Sequence, residues 1–537
     1  MNCTGQRAQI TDQFRVARWP QWLSCALLLL LAACSAPVPQ ERVAEQALEL
    51  RSADGPLRGG VLDGVAVFKN IPYAAPPVGA LRWRPPAPVQ PWQEPREARR
   101  YGNDCWQNRK SWDRAMSAQP MSEDCLYLNV WTPLPLRGDK LLPVMVWIHG
   151  GAYASGSGSS PLTVGDRLAR RGVVLVTLNY RLGRFGFFAH PALSAESREG
   201  PLGNYGLMDQ IAALHWVQRN IARFGGDPAR VTIFGESAGG DAVHQLMLAP
   251  PARGLFAAAI SQSGGGRALL PRLREDQPDL PSAQTLGQRF AQRAGVHGED
   301  AAALRALPAA TVLGDLSLIE WDRQAWTAVC IDGQLVQGDV LEGYAAARQA
   351  HVPLLLGSNG DELGALPRFV LRAMNQLLTP RFGAQLPQLI AAYPSAEAYE
   401  RNLSSDFGFV EPARRIARHA SARQPVFLYR YDYVPQAQRG KWRGAPHASD
   451  VAYIFGYPEA ADADVSEQDR AQASLMGELW TAFARQTQPA AAQATPWPAY
   501  QRDDDRVYEI SAQGTRLLPA GAPWLEAIAR YAQPRAP

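Results

Sequence analysis

The run Gly235-Glu236-Ser237-Ala238-Gly239-Gly240, entered from Val231-Thr232-Ile233-Phe234, constrains this chain more than any other stretch. An apolar strand that reaches Gly-x-Ser-x-Gly and passes straight into a helix forms a nucleophile elbow. The turn puts the serine backbone into a strained conformation, and a Cβ at either flanking glycine would collide with the neighbouring strand or helix. The result is a serine oxygen held clear of a sheet, at a helix N-terminus. Alone, the pentapeptide also fits an ordinary glycine-rich strand-to-helix turn, so its meaning depends on partners elsewhere.

A serine hydroxyl is a poor nucleophile at neutral pH and needs a base within hydrogen-bond reach. Elbows of this kind find their partners in the chain order Ser, acid, His. Five histidines follow Ser237: His244, His297, His351, His419 and His447. His244 lies two turns into the helix that the elbow opens, His297 and His351 precede or abut the candidate acid, and His419 sits in a basic helical run. His447 lies in the turn-forming Gly444-Ala445-Pro446-His447-Ala448-Ser449-Asp450, beyond the strand-like Val426-Phe427-Leu428-Tyr429-Arg430-Tyr431, and is the candidate base. The candidate acid also follows a short apolar run, residues 352–357. Ser358-Asn359-Gly360-Asp361-Glu362 carries two adjacent carboxylates, either of which can accept the imidazole N–H and fix its tautomer. Spacing alone leaves Asp361 and Glu362 both open.

A third signature begins at the strand-like Pro143-Val144-Met145-Val146-Trp147-Ile148, which runs into His149-Gly150-Gly151-Ala152-Tyr153. Loops of this type turn backbone N–H groups toward a developing oxyanion. Gly150, Gly151 and Ala238 make a three-donor hole, in which loss of one donor costs on the order of 3 kcal/mol in the transition state. A purely structural His-Gly-Gly turn is the competing reading, and the elbow weighs against it.

Longer motifs stand around these. They include Phe68-Lys69-Asn70-Ile71-Pro72-Tyr73-Ala74-Ala75-Pro76-Pro77-Val78-Gly79, Ser122-Glu123-Asp124-Cys125-Leu126-Tyr127-Leu128-Asn129-Val130-Trp131 and Asn179-Tyr180-Arg181-Leu182-Gly183-Arg184-Phe185-Gly186-Phe187. Gly203-Asn204-Tyr205-Gly206-Leu207-Met208-Asp209-Gln210 follows, and Asn220-Ile221-Ala222-Arg223-Phe224-Gly225-Gly226-Asp227-Pro228 leads into the elbow. From about Gly59 to about Pro523 the chain resembles the type-B carboxylesterases, the group that also holds the cholinesterases and bile-salt-activated lipases. The resemblance implies an α/β-hydrolase fold: a large, mostly parallel central sheet flanked by helices. It implies hydrolysis of carboxylic esters through an acyl-enzyme, with no metal and no organic cofactor. It selects Glu362 as the acid, although Leu363 stands where the family's Asp-Glu-Gly turn has glycine. It matches Glu236 to a buried supporting glutamate, Ser263 to a residue beside the acid, and Cys105 with Cys125 to the first disulfide. It also implies structural ion pairs Arg82–Glu123 and Arg181–Asp209. The family includes adhesion proteins that have lost catalysis, usually with a triad residue missing; here Ser237, Glu362 and His447 are all present. A broad preference for short to medium acyl chains is expected, and Trp106 and Trp112 are read as loop-packing residues rather than a choline-ester site.

The front of the chain reads differently. Arg7, Arg15 and Arg18 precede an apolar run, residues 23–33, too short to span a bilayer. Leu31-Ala32-Ala33-Cys34 resembles a bacterial lipobox, which makes residues 1–33 a lipoprotein-type signal peptide and Cys34 the lipidated residue. The expected location is the outer membrane or periplasm, with secretion after ordinary signal cleavage as the alternative. The long basic segment leaves Met1 open as the true start. Residues 34–49 read as a tether and residues 50–537 as one elaborated domain. Cys330, in an apolar stretch, reads as a buried free thiol. A net charge of +4 from 54 basic and 50 acidic side chains, with no basic cluster interleaved with aromatics, gives no sign of nucleic acid binding. The strand signals are continuously apolar, as expected of strands covered on both faces. They fade between 265 and 350 and between 367 and 423, where helical insertions are expected to roof the catalytic gorge and set substrate choice.

Overall fold

Alternate residues of the strand Leu142–Ile148 face opposite sides of a sheet, and both sides are buried. Val144, Val146 and Ile148 join one core cluster, Met145 and Trp147 a second on the other face. This arrangement explains why the central runs are apolar throughout rather than alternating. The computed structural model describes residues 46–532, apart from 111–112, 114, 137–139, 197–201, 279, 318–321 and 323. The signal segment, Cys34 and Trp112 therefore lie outside the described residues.

The sheet is built from β1 (Gln46–Arg51), β2 (Pro56–Leu62), β3 (Val65–Pro72), β4 (Tyr127–Pro133), β5 (Leu142–Ile148) and β6 (Val174–Leu178). It continues through β7 (Gly226–Glu236), β8 (Ala258–Gln262), β9 (Leu354–Asn359), β10 (Val426–Asp432), β11 (Arg506–Ser511) and β12 (Gly514–Pro519). Their order is β1-β2-β3-β4-β6-β5-β7-β8-β9-β10-β11-β12, with the short strand Arg96–Glu97 paired to β2 off this path. From β6 to β11 every pairing is parallel; both ends of the sheet are antiparallel. Ile233 sits opposite Ala259, and Ile260 opposite Leu355, so the strands that carry the candidate site run in register toward one edge.

Helix α1 (Tyr205–Asn220) is followed by a tighter turn over residues 221–224. Its apolar side and that of α2 (Ala238–Leu248) join the first cluster. The second cluster is closed by α3 (Glu467–Gln486), through Met476, Leu479, Trp480 and Phe483. Of the segments that lacked strand signals, 265–350 is mostly irregular among the described residues, with short helices such as Ala283–Arg293, whereas 367–423 is mostly helical, with Arg368–Leu378, Ala396–Ser405 and Glu411–Ala420 among its helices. The last two are joined through a π-helical turn, Asp406–Val410. One boundary differs from expectation: β1 begins at Gln46, so the last residues assigned to the tether pair with β2 in the sheet.

Arg82 Nε lies 2.7 Å from Glu123 Oε2, and Arg181 Nε and Nη2 hold Asp209 at 2.8 and 2.7 Å. Such buried pairs fix geometry more than they add net stability. Cys105 and Cys125 form the expected disulfide, with Cα atoms 5.0 Å apart, and Cys330 is a buried free thiol. Trp106, within the loop closed by this bond, packs against the core.

Candidate active site

Ser237 caps α2 with φ 56° and ψ −123°, a conformation that costs a non-glycine residue roughly 1–3 kcal/mol. Two contacts hold it. Its N–H donates to Gln262 O at 2.9 Å, and its carbonyl accepts the Asp241 N–H at 2.9 Å. The neighbouring glycine is forced by crowding: a Cβ on Gly239 would lie 2.0 Å from Ile148 O. The elbow thus brings the end of β5 against the first turn of α2.

Contacts distinguish the two adjacent carboxylates where spacing does not. Asp361 directs Oδ1 to Arg443 Nη2 at 2.8 Å. Glu362 is fully buried and directs Oε2 to His447 Nδ1 at 2.6 Å. Its other oxygen accepts the Ser263 hydroxyl and the Asn359 N–H, each at 2.7 Å. The His447 N–H in turn donates to Glu362 O at 3.0 Å. Both lone-pair directions of the carboxylate are therefore occupied, and the ring orientation is fixed from the Nδ1 side.

On the other side of the ring, His447 Nε2 lies 3.2 Å from Glu236 Oε1. Among the described residues, no hydrogen bond joins Ser237 Oγ to the imidazole. Hydrogen bonds of this kind are often long without substrate and tighten on binding. Burial alone would lower the His447 pKa; Glu236, followed by Glu362, overcomes this and lifts it to about 9. Burial pushes Glu236 up to about 8, with His447 opposing the rise. Phe409, on the π turn, sets its ring 5.0 Å from the imidazole.

The N–H groups of Gly150, Gly151 and Ala238 have no protein acceptor among the described residues. A Cβ on Gly150 would sit 2.6 Å from Glu236 O and 3.1 Å from Ser237 Cβ, so the loop passes directly beside the serine. His149 is turned away from it. Its ring stacks on Tyr180 at 4.3 Å, Nδ1 lies 2.9 Å from Gly150 O, and burial pushes its pKa down to about 4.

The structure thus gathers Ser237, Glu236, Glu362, His447, Ser263, Gly150, Gly151 and Ala238. His244 is spent elsewhere, with Nε2 2.9 Å from Ser261 Oγ and Nδ1 3.0 Å from the Tyr344 hydroxyl. Asp450 was missed. It is fully buried, accepts Gln262 Nε2 at 2.9 Å, and is pushed up to about 6 by burial and then Glu362. Its position three residues after His447 was the available signal. No cluster able to hold a metal ion occurs among the described residues.

Comparison with known proteins agrees with this architecture. The carboxylesterase family model matches residues 45–385 and 392–519. A fumonisin B1 esterase of Sphingopyxis macrogoltabida is 37% identical over 470 residues, covering 82% of this chain and 83% of that one. A para-nitrobenzyl esterase of Bacillus subtilis is 35% identical over 84% of this chain and 92% of its own length. A solved PNB esterase structure superposes with a TM-score of 0.77 and 32% identity, across 90% of this chain and 99% of that one.

Proposed function

The chain belongs to the carboxylesterase family and is a carboxylic ester hydrolase, and from that premise we propose that Ser237, Glu362 and His447 are its catalytic triad. His447 takes the Ser237 proton through Nε2 as Oγ attacks the ester carbonyl. Gly150, Gly151 and Ala238 donate to the tetrahedral oxyanion. His447 then passes the proton to the leaving alcohol, and an acyl-serine remains. Water, losing its proton to the same imidazole, attacks that ester; collapse frees the acid and returns the proton to Ser237. Glu362 holds the Nδ1 side of the ring and stabilises the imidazolium. The observation that carries the reading is the short Glu362–His447 contact, set in a site whose serine backbone is strained and whose loop N–H groups are free.

The preferred substrates are esters with short to medium acyl chains. Relatives of similar identity are named a fumonisin B1 esterase, a para-nitrobenzyl esterase and a pyrethroid hydrolase. The protein works exported, held at the outer membrane or in the periplasm by a lipid on Cys34, and the closed Cys105–Cys125 bond supports an oxidising compartment. A fluorophosphonate should label Ser237, and Ser237→Ala should abolish both labelling and turnover of p-nitrophenyl acetate through octanoate. Near-parental turnover by the variant would refute the nucleophile. Turnover of amides or long-chain triacylglycerols in place of this panel would refute the substrate class.

A further inference from the structure

Three consecutive residues of the oxyanion loop have left-handed backbones: Gly151 at φ 100°, Ala152 at 56° and Tyr153 at 59°. The two that are not glycine are strained and persist only where surrounding contacts hold them. From one side the hold is the segment after β6. The Tyr180 hydroxyl donates to His149 O at 2.9 Å, and the Gly183 N–H donates to Tyr153 O at 2.7 Å. Within the loop, Ala154 and Ser155 N–H groups both donate to Gly151 O at 3.0 Å. Toward the nucleophile helix the tie is a side-chain one: the Tyr153 hydroxyl donates to Asp241 Oδ2 at 2.7 Å.

Asp241 lies one turn after Ser237, and its own N–H donates to the Ser237 carbonyl. One residue therefore fixes the first turn of α2, which presents the Ala238 N–H, and grips the loop that presents Gly150 and Gly151. We propose that Asp241, acting through the Tyr153 hydroxyl, is a positioning residue that sets the distance between the two halves of the oxyanion hole. This rests on the assignment of those three N–H groups as the donors. The Tyr153 ring is packed independently, edge-on to Phe187 at 4.9 Å, so removing the hydroxyl leaves the side chain in place while cutting the tie. Burial raises the Asp241 pKa to about 6, while the Tyr153 hydroxyl and Gln245 favour its ionised form, so the acceptor is charged at neutral pH. A charged acceptor makes the stronger bond.

The test compares Tyr153→Phe, Asp241→Ala and Asp241→Asn with the parent. The readouts are kcat and KM on p-nitrophenyl butyrate, affinity for a trifluoromethyl ketone whose adduct places an oxyanion in the hole, and thermal midpoint. Tyr153→Phe and Asp241→Ala should lower kcat by on the order of tenfold to a hundredfold with KM little changed. Ketone affinity should fall in parallel. Asp241→Asn, whose amide oxygen still accepts the phenol O–H, should recover most of the loss. The double variant Tyr153→Phe/Asp241→Ala should be no worse than either single one. The proposal is overturned if Tyr153→Phe folds and keeps parental kcat and ketone affinity, whether or not its melting point falls. Failure of the underlying assignment shows separately, as turnover by Ser237→Ala or an unlabelled parent.

Discussion

Glu236 faces the ring nitrogen of His447 that must be free to take the Ser237 proton. Glu236 and then Glu362 lift the His447 pKa to about 9, which favours the imidazolium over the base form below that pH. Activity of the free enzyme should therefore climb as pH rises toward that value. Glu236→Gln removes a charge that favours the imidazolium, so the His447 pKa falls and the acid limb of the kcat/KM profile moves to lower pH. A profile measured on p-nitrophenyl butyrate from pH 5 to about 10 checks this; an unmoved or upward-shifted limb contradicts it. At this scale Ser237 and His447 were legible as candidates from the turns they occupy. It could not separate Asp361 from Glu362 by spacing, because the difference lies in Arg443, 82 residues away, which engages Asp361 and leaves Glu362 to the imidazole. Tyr153 and Asp241 were equally hidden. Their bond spans 88 residues and joins two motifs that are each complete without it.

The elbow is where a strand, a loop and a helix constrain one another most tightly. Gly239→Ala would drive a Cβ to 2.0 Å from the Ile148 carbonyl, backbone against backbone, with no flexible side chain to give way. We expect it to destabilise the fold by about 1–3 kcal/mol and to remove turnover, because Ile148 leads directly into the oxyanion loop. Gly408→Ala, with no heavy atom within 4 Å of its Cβ, is the matched control. It should stay within about 0.5 kcal/mol of the parent. Urea titration of both variants checks the pair; equal stabilities would contradict the crowding argument. The apolar runs at 143–148, 231–234, 352–357 and 426–431 all fall on strands of the sheet, because strands largely buried on both faces need no alternation to be recognised. The antiparallel ends of the sheet were not legible. β2 reads Pro-Leu-Arg-Gly-Gly-Val-Leu and β12 reads Gly-Thr-Arg-Leu-Leu-Pro, and partly exposed strands of this kind carry no continuous apolar signal. The π turn at Asp406–Val410 was hidden for another reason: apolar spacing reports which face is buried, not which carbonyl each N–H reaches.

At the scale of the whole molecule, the fold and the proposed anchor can be tested apart. The described residues contain no helix long and apolar enough to cross a membrane. A net charge of +4 over 537 residues offers little long-range attraction to an anionic surface. The proposed lipid anchor, Cys34, precedes the first strand in sequence, so the sheet is expected to fold without it. Cys34→Ala, expressed in a double-membraned bacterium, tests that division. The parent should sediment with the envelope and release into detergent. The variant should leave the envelope fraction while keeping parental kcat, a closed Cys105–Cys125 bond and the same melting point. A parent found free of the envelope, or a variant that still sediments with it, would refute the anchor while leaving the esterase intact. A variant that loses activity with its location would instead mean that the lipid, or the bilayer beneath it, takes part in shaping the gorge.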